Sequence, residues 1–235
     1  MTNTNQQLDQ AVRHINKHFG YSFDNHALLK QALTHRSAAK AHNERLEFLG
    51  DAILGMVIAE LLYQRFPNQP EGKLTRMRAS LVKGVTLANI AQRVGLGDYL
   101  FLGPGELKSG GHRRASILAD VVEAILGAIY LDSDMETVRA VTLHILQQDI
   151  EALDPAQTAK DSKTQLQEFL QSRKLALPTY DVVSVSGKEH DQTFVVSCQS
   201  AASSEVTKGS GPSRRRAEQD AAQQMLALIQ QRAKS

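Results

Sequence analysis

The segment NERLEFLGDAIL, residues 43–54, carries three carboxylates whose spacing points to chemistry. At about 100° per residue, Glu44, Glu47 and Asp51 fall within about 60° of one another on one helix face. Leu46, Leu49, Ile53 and Leu54 occupy the opposite side. Asn43 is a residue type suited to cap the start of that helix. A second segment, SILADVVEAILGAIY at residues 116–130, places Asp120 and Glu123 at i and i+3 in an otherwise almost wholly apolar stretch. A helix that apolar is expected to be buried on most sides. Carboxylates inside it must then be paired, protonated or bound to a cation, because an uncompensated buried charge is very costly. Acids in a first helical turn are favoured by the helix dipole, which accounts for Glu44 and Glu47. It accounts poorly for Asp51 and not at all for Glu123, amid Val121, Val122, Ala124, Ile125 and Leu126. Two readings remain from spacing alone: salt bridges to Arg45, Arg76 or Arg78, and a shared divalent-cation site. The donors are all oxygen with no Cys/His cluster, which suits Mg²⁺ or Mn²⁺ rather than zinc.

The elements that must hold these acids are set by the rest of the chain. At 235 residues it allows one large domain or two modest ones of about 100–200 residues each. Apolar residues at 42% and charged residues at 22% are ordinary globular composition and exclude disorder. Lys and Arg number 27 against 25 Asp and Glu, so no strongly basic tail binds nucleic acid by bulk attraction. The single cysteine, Cys198, excludes an internal disulfide and a Cys-rich zinc site, and it suits a reducing compartment. The longest apolar run, residues 52–62, is broken by Glu60 and is far short of the roughly 18–20 residues that a membrane span needs. The N-terminal MTNTNQQLDQ has no apolar signal core. A soluble, cytoplasmic protein with no membrane segment is expected.

Residues 1–160 hold 17 Lys and Arg against 17 Asp and Glu, whereas residues 161–235 hold 10 against 8, three of the ten in the run Arg214–Arg216. The stretch EALDPAQTAK, residues 151–160, is polar, carries Pro155 and lacks an apolar stripe, so it reads as a linker. Before it, 44–64, 74–82, 85–94, 116–131 and 134–153 show helical apolar spacing, and no period-2 run precedes residue 175. The expectation for residues 1–150 is an all-α domain. Residues 161–231 read differently, with a helix at 164–172, strands at 180–185 and 193–198, a third strand near 205–208, and a last helix that Pro212 is placed to start. Ala217, Ala221, Met225 and Leu228 form one stripe of that helix. The order α-β-β-β-α describes a small α+β domain.

NERLEFLGDAIL closely resembles the signature of the ribonuclease III family, as does GPGELKSGGHRRASILADVVEAILGAIYLD at residues 103–132. The resemblance extends over essentially the whole chain and fits the bacterial form. It implies an all-α ribonuclease III endonuclease domain followed by a double-stranded-RNA-binding domain. The implied activity is Mg²⁺-dependent hydrolysis of phosphodiesters in double-stranded RNA, with Mn²⁺ as a substitute. The products implied are 5′-phosphate and 3′-hydroxyl ends with a short 3′ overhang, in ribosomal-RNA and mRNA processing and turnover. By match to the motif, Glu47, Asp120 and Glu123 are the implied metal ligands, and Asp51 and Glu123 match the positions called catalytic. Glu44 and Glu71 match outer acidic positions of the cleavage valley. Cutting two strands implies a homodimer, to which the apolar stretch 53–62 is a candidate contributor, the alternative being that it serves the chain's own core.

In the second domain, Thr164, Gln165 and Glu168 match positions that reach the minor groove. His190, in the turn GKEHDQTF, matches the position that enters the next one. Arg214 and Arg215 match the basic pair that grips phosphates across the major groove. This arrangement reads A-form shape over about 16 base pairs. Pro212 departs from the Ser or Gly common there and removes one N–H from the phosphate grip. One alternative reading is a non-catalytic double-stranded-RNA-binding protein, against which the intact acidic set argues. Another is a metal hydrolase of small phosphorylated molecules, against which the second domain argues.

Overall fold

The computed structural model describes residues 2–154, 161–188 and 192–232. It divides into two compact units, residues 1–158 and 159–235.

Among the described residues the first unit is helical. Its elements are α1 (Thr2–Phe19), α2 (His26–Ala32), α3 (Glu44–Arg65), α4 (Glu71–Val82), α5 (Gly84–Arg93), α6 (Pro104–Lys108), α7 (Ala115–Asp132), α8 (Met135–Ile145) and α9 (Gln147–Glu151). Three helices, α1, α2 and the five-residue α6, fall outside the segments with helical apolar spacing. In α1 the buried Ala11, Ile15 and Phe19 recur at i+4, but the polar residues before them mask the stripe. In α2 only seven residues are helical, started by Asn25, whose side chain accepts from the Ala27 N–H at 3.0 Å. The single helix expected over 134–153 is two, because the chain leaves α8 at Ile145 and restarts as α9 at Gln147.

The unit is organised around α7, which buries residues on nearly every side, from Ile117 and Leu118 to Ala128 and Ile129. Its main partner, α3, buries Leu46, Ile53, Leu54, Val57, Ile58 and Leu62. The two helices meet backbone to backbone. A Cβ on Gly50 would lie 1.8 Å from the Glu123 carbonyl oxygen, and one on Gly127 would lie 2.3 Å from that of Leu46. At the far end of α7, Asp132 accepts from Tyr21 Oη at 2.7 Å and from the Asp24 and Asn25 N–H groups at 2.9 Å each, which ties the α1–α2 connection to it.

Most of the apolar stretch 53–62 serves the chain's own core, and Met56 is its one large apolar side chain that is exposed. Ile53, Leu54, Val57, Ile58 and Leu62 are intramolecular core. A second stripe at i, i+8 and i+15, Phe48, Met56 and Tyr63, is 81%, 50% and 74% exposed, so α3 is apolar on two faces.

The second unit comprises α10 (Ser162–Ser172), β1 (Thr179–Ser186), β2 (Thr193–Ser200), β3 (Ser203–Gly211) and α11 (Arg214–Arg232). The strands form an antiparallel sheet in the order β1-β2-β3, with Tyr180 opposite Cys198 and Cys198 opposite Thr207. Both helices cover one face, and Leu166, Leu170, Cys198, Ala221, Ala222 and Met225 fill the core between. The stripe expected on α11 is buried at Ala217, Ala221 and Met225, and Ile229 is more deeply placed than Leu228. Pro212 does not start that helix. Ser213 precedes its first turn, its carbonyl accepting from the Ala217 N–H at 3.0 Å and its Oγ from the Arg216 N–H at 3.3 Å. A hydroxyl that satisfies an open N–H outcompetes a residue that merely lacks one.

Gly50→Ala should destabilise the protein by about 1–3 kcal/mol, since a methyl against a backbone oxygen can be relieved only by parting α3 from α7. The roughly 1 kcal/mol gain in helix propensity partly offsets this. Gly72→Ala, in α4, where a Cβ meets only the Arg76 guanidinium at 3.6 Å, should be neutral or stabilising. Thermal denaturation of both variants checks the contrast, and an unchanged Tm for Gly50→Ala would refute the close crossing.

Candidate active site

The crossing of α3 and α7 sets the carboxylates. Glu47 lies one turn before Gly50, and Glu123 is the residue whose carbonyl Gly50 meets. Asp120 stands one turn before Glu123 on the same face. Glu47, Asp120 and Glu123 each offer a carboxylate oxygen, all within 4.8 Å of one another, and all three residues are partly buried. Asp51 is exposed and outside this trio, but its charge acts on both Glu47 and Glu123.

Three acids packed this closely resist ionisation together. Burial, then the charges of Asp51, Glu47 and Asp120, push the Glu123 carboxyl up to about 8. Glu47 is raised by burial and then by Asp120, Glu44 and Asp51. Asp120 is raised by burial, against a lowering influence from His35 and its own backbone. Among the described residues no Lys or Arg forms an ion pair with Glu47, Asp51, Asp120 or Glu123, so the salt-bridge reading finds no support. A trio of close, partly buried oxygen donors without a protein cation fits a hard divalent ion.

Glu44 is placed at the rim, 3.3 Å from the Arg36 guanidinium and 3.8 Å from His42. Glu71 stands apart. It is exposed at the start of α4, accepts from Thr75 Oγ1 at 2.6 Å, and is not among the charges acting on the trio. Asn43 occupies the position before α3, but its side chain makes no capping bond. It is 3% exposed; its N–H donates to the Thr34 carbonyl at 2.9 Å, and its own carbonyl accepts from Leu46 and Glu47. These are the ordinary first bonds of the helix, so the side-chain cap expected of Asn43 is not made.

Beside the acids is a cavity of about 610 Å³, lined by Glu44, Glu47 and Asp120 and also by His35, Arg36 and Arg114. These basic groups did not emerge from the motif spacing. His35 and Arg36 belong to a loop pinned by the Phe101 N–H to the Leu33 carbonyl, the His35 N–H to the Phe101 carbonyl and the Gly103 N–H to Ser37 Oγ. Arg114 is fixed by Glu106 at 2.6 Å. The Arg113–Arg114 pair just ahead of the acidic helix was the available signal.

In the second unit, Thr164 and Glu168 are exposed one turn apart on α10, facing away from the buried Leu166 and Leu170, with Gln165 partly buried between them. Arg214 and Arg215 are exposed in the first turn of α11. His190 lies outside the described residues.

Raised carboxyls have a signed consequence for stability. Between the ordinary carboxylate range and about 8, the folded chain without metal holds a proton on Glu123 that the unfolded chain has lost, so stability falls as pH rises through that window. In EDTA, Tm should therefore decline from pH 5 to pH 8, less steeply in Glu123→Gln than in the wild type. Saturating Mg²⁺ should remove most of the decline, because an ion that binds only the folded state favours the ionised trio. A wild-type slope equal to that of Glu123→Gln would contradict the assignment.

The chain is similar to known proteins along nearly its whole length. The ribonuclease-III-like family matches residues 25–150, and the double-stranded RNA binding motif matches residues 162–229. Ribonuclease 3 of Colwellia psychrerythraea is 59% identical over 216 residues, covering 92% of this chain and 81% of that protein. Ribonuclease 3 of Pasteurella multocida is 55% identical over 223 residues, covering 95% and 99%. A solved nuclease domain of ribonuclease III from Campylobacter jejuni, described for flexibility in a region involved in its dimer formation, is 38% identical with a TM-score of 0.58. It covers 60% of this chain and 99% of that one. With a helical unit that gathers three carboxylates, an α-β-β-β-α unit following it in sequence and relatives matching along nearly its full length, this chain belongs to the ribonuclease III family and is an endoribonuclease of double-stranded RNA.

Proposed function

We propose that this chain hydrolyses phosphodiesters of double-stranded RNA with Mg²⁺, for which Mn²⁺ substitutes, leaving 5′-phosphate and 3′-hydroxyl ends with a short 3′ overhang. The cellular work would be processing of ribosomal-RNA precursors and processing and turnover of mRNA in the cytoplasm. Nuclease chemistry is assigned to residues 1–150 and duplex binding to 161–231, with 151–160 as linker. Among the described residues no helix is long and apolar enough to cross a membrane.

The observation that carries the catalytic part is the trio of oxygens from Glu47, Asp120 and Glu123 within 4.8 Å of one another. A divalent ion held there would lower the pKa of a bound water and stabilise charge on the scissile phosphate. Glu47, Asp120 and Glu123 hold the ion, and Asp51 and Glu123 take the catalytic roles. Glu44 and Glu71 serve as outer acids that help place the strand or a second ion. In the second domain, Thr164, Gln165, Glu168 and His190 engage the minor grooves, and Arg214 and Arg215 hold phosphates across the major groove. Arg214 and Arg215 stand at the positive end of α11, which favours the same phosphates.

One trio per chain and two strands per duplex call for a second copy. The exposed Phe48, Met56 and Tyr63 of α3 form a face that a twofold partner would cover with its own identical stripe. Phe48→Asp should convert a dimer to a monomer in sedimentation. A dimer that persists would place the interface elsewhere.

The decisive experiment is cleavage of a labelled RNA duplex in EDTA, Mg²⁺ or Ca²⁺. Wild type should cut with Mg²⁺ and leave staggered ends. Glu123→Ala should lose more than about 100-fold in rate, the scale of removing one pre-organised charge-stabilising group, while still binding duplex. Binding without cutting under every metal would establish the non-catalytic alternative.

A further inference from the structure

Glu218 is an acid where an RNA-gripping surface would be expected to avoid one. It lies on α11, one turn after Arg214, and its side chain is only 12% exposed. Each of its oxygens is taken by a different cation: Oε1 accepts from Arg214 Nε at 3.0 Å, and Oε2 accepts from Lys163 Nζ at 2.6 Å. Lys163 belongs to the first turn of α10 and is itself seated 4.5 Å from the centroid of the Tyr180 ring. A parallel contact joins the same two helix starts. Asp161, which accepts from the Lys163 N–H at 2.9 Å, also accepts from Gln219 Nε2 at 3.0 Å. Burial alone would raise the Glu218 carboxyl, yet the bonds from Lys163 and Arg214 hold it below its ordinary range.

We infer that Glu218 is a positioning residue for duplex RNA: it grips Arg214 by Nε and ties the start of α10 to the start of α11 through Lys163. The inference deepens the proposed RNA-binding role of these helix starts and rests on it. A guanidinium offers five N–H donors in a rigid plane. Engagement of Nε leaves the edge bearing Nη1 and Nη2 for two phosphate oxygens, the bidentate geometry that makes arginine a strong phosphate ligand. Arg214 remains 63% exposed on its outer side. A flexible arginine loses conformational freedom on meeting RNA, whereas a side chain already held in one orientation loses less. The Lys163 arm acts on placement. Thr164 is the next residue along α10, so the distance between a groove-reading residue and a phosphate-holding one is set by the buried carboxylate between them.

The test uses the full chain in EDTA, where binding is read without cleavage, with a labelled RNA duplex and fluorescence anisotropy. Loss of an anion beside RNA should strengthen binding if charge alone mattered. Positioning predicts the opposite sign. Glu218→Ala should weaken binding about three- to tenfold in wild-type background and by less than about twofold in Arg214→Ala background, the coupling expected of contacting residues. Glu218→Asp, which keeps the charge but is too short to span both cations, should also weaken binding, so the conclusion does not depend on the alanine variant folding. Unchanged or tighter binding by the Glu218 variants, with Arg214→Ala weakened, would overturn the positioning role alone. Equal losses in both backgrounds would mean that Glu218 only stabilises the fold. An Arg214→Ala variant that binds normally would overturn the RNA-binding reading of this helix start, and the inference with it.

Discussion

The contact between α3 and α7 is the constraint from which the nuclease unit follows. Helices normally meet through side chains, with axes 8–10 Å apart. Here Gly50 faces the Glu123 carbonyl and Gly127 faces that of Leu46, so the backbones themselves set the separation. The pairing is reciprocal, which fixes both the approach and the register. Glu47, Asp120 and Glu123 are acids one turn away from, or at, these contact points. Their convergence is therefore a consequence of backbone geometry rather than of attraction among the side chains, which repel one another.

That arrangement explains how an unfavourable cluster persists. Desolvation raises all three carboxyls, neighbouring acids of the trio raise Glu47 and Glu123 further and Glu44 raises Asp120, and nothing in the trio itself favours assembly. The cost is met by the apolar burial of α7, which surrounds the acids with Val121, Val122, Ala124, Ile125 and Leu126 at 1% exposure or less. Active sites commonly hold ionisable groups in such strained company. The cavity beside the trio also holds His35, Arg36 and Arg114, with Arg36 paired to Glu44 and Arg114 to Glu106.

The two acidic segments were legible in the sequence because an acid inside an apolar helix contradicts the ordinary rules of burial. Glu123 announced itself that way, and so did the change of period from helix to strand after residue 175. What remained hidden was of a different kind. The helix α1 was obscured by the polar residues at its start, and the break between α8 and α9 left no Gly or Pro to mark it. Asn43 showed the right residue type for a side-chain cap, yet it is buried and its side chain makes no capping bond. The pinned loop with His35 and Arg36 depends on a contact with Phe101, distant in sequence, which no local pattern encodes. Glu218 stands at i+4 from Arg214, a spacing that allows an ion pair, but its bridge to Lys163 on another helix has no local signal.

The exposed stripe of α3 has a mechanical consequence. Side-chain layers between helices can absorb a displacement by changing rotamers, but a backbone-to-backbone contact has no such compliant layer. With Gly50 and Gly127 in place, the contact between α3 and α7 holds no side-chain layer that could yield. Phe48, Met56 and Tyr63 lie on the exposed side of α3, and Glu47 and Asp51 are carried on the same helix. A body seated against the stripe would thus be registered to the carboxylates with little play, so the spacing between two such sites would be held by stiffness across the interface rather than by a flexible tether.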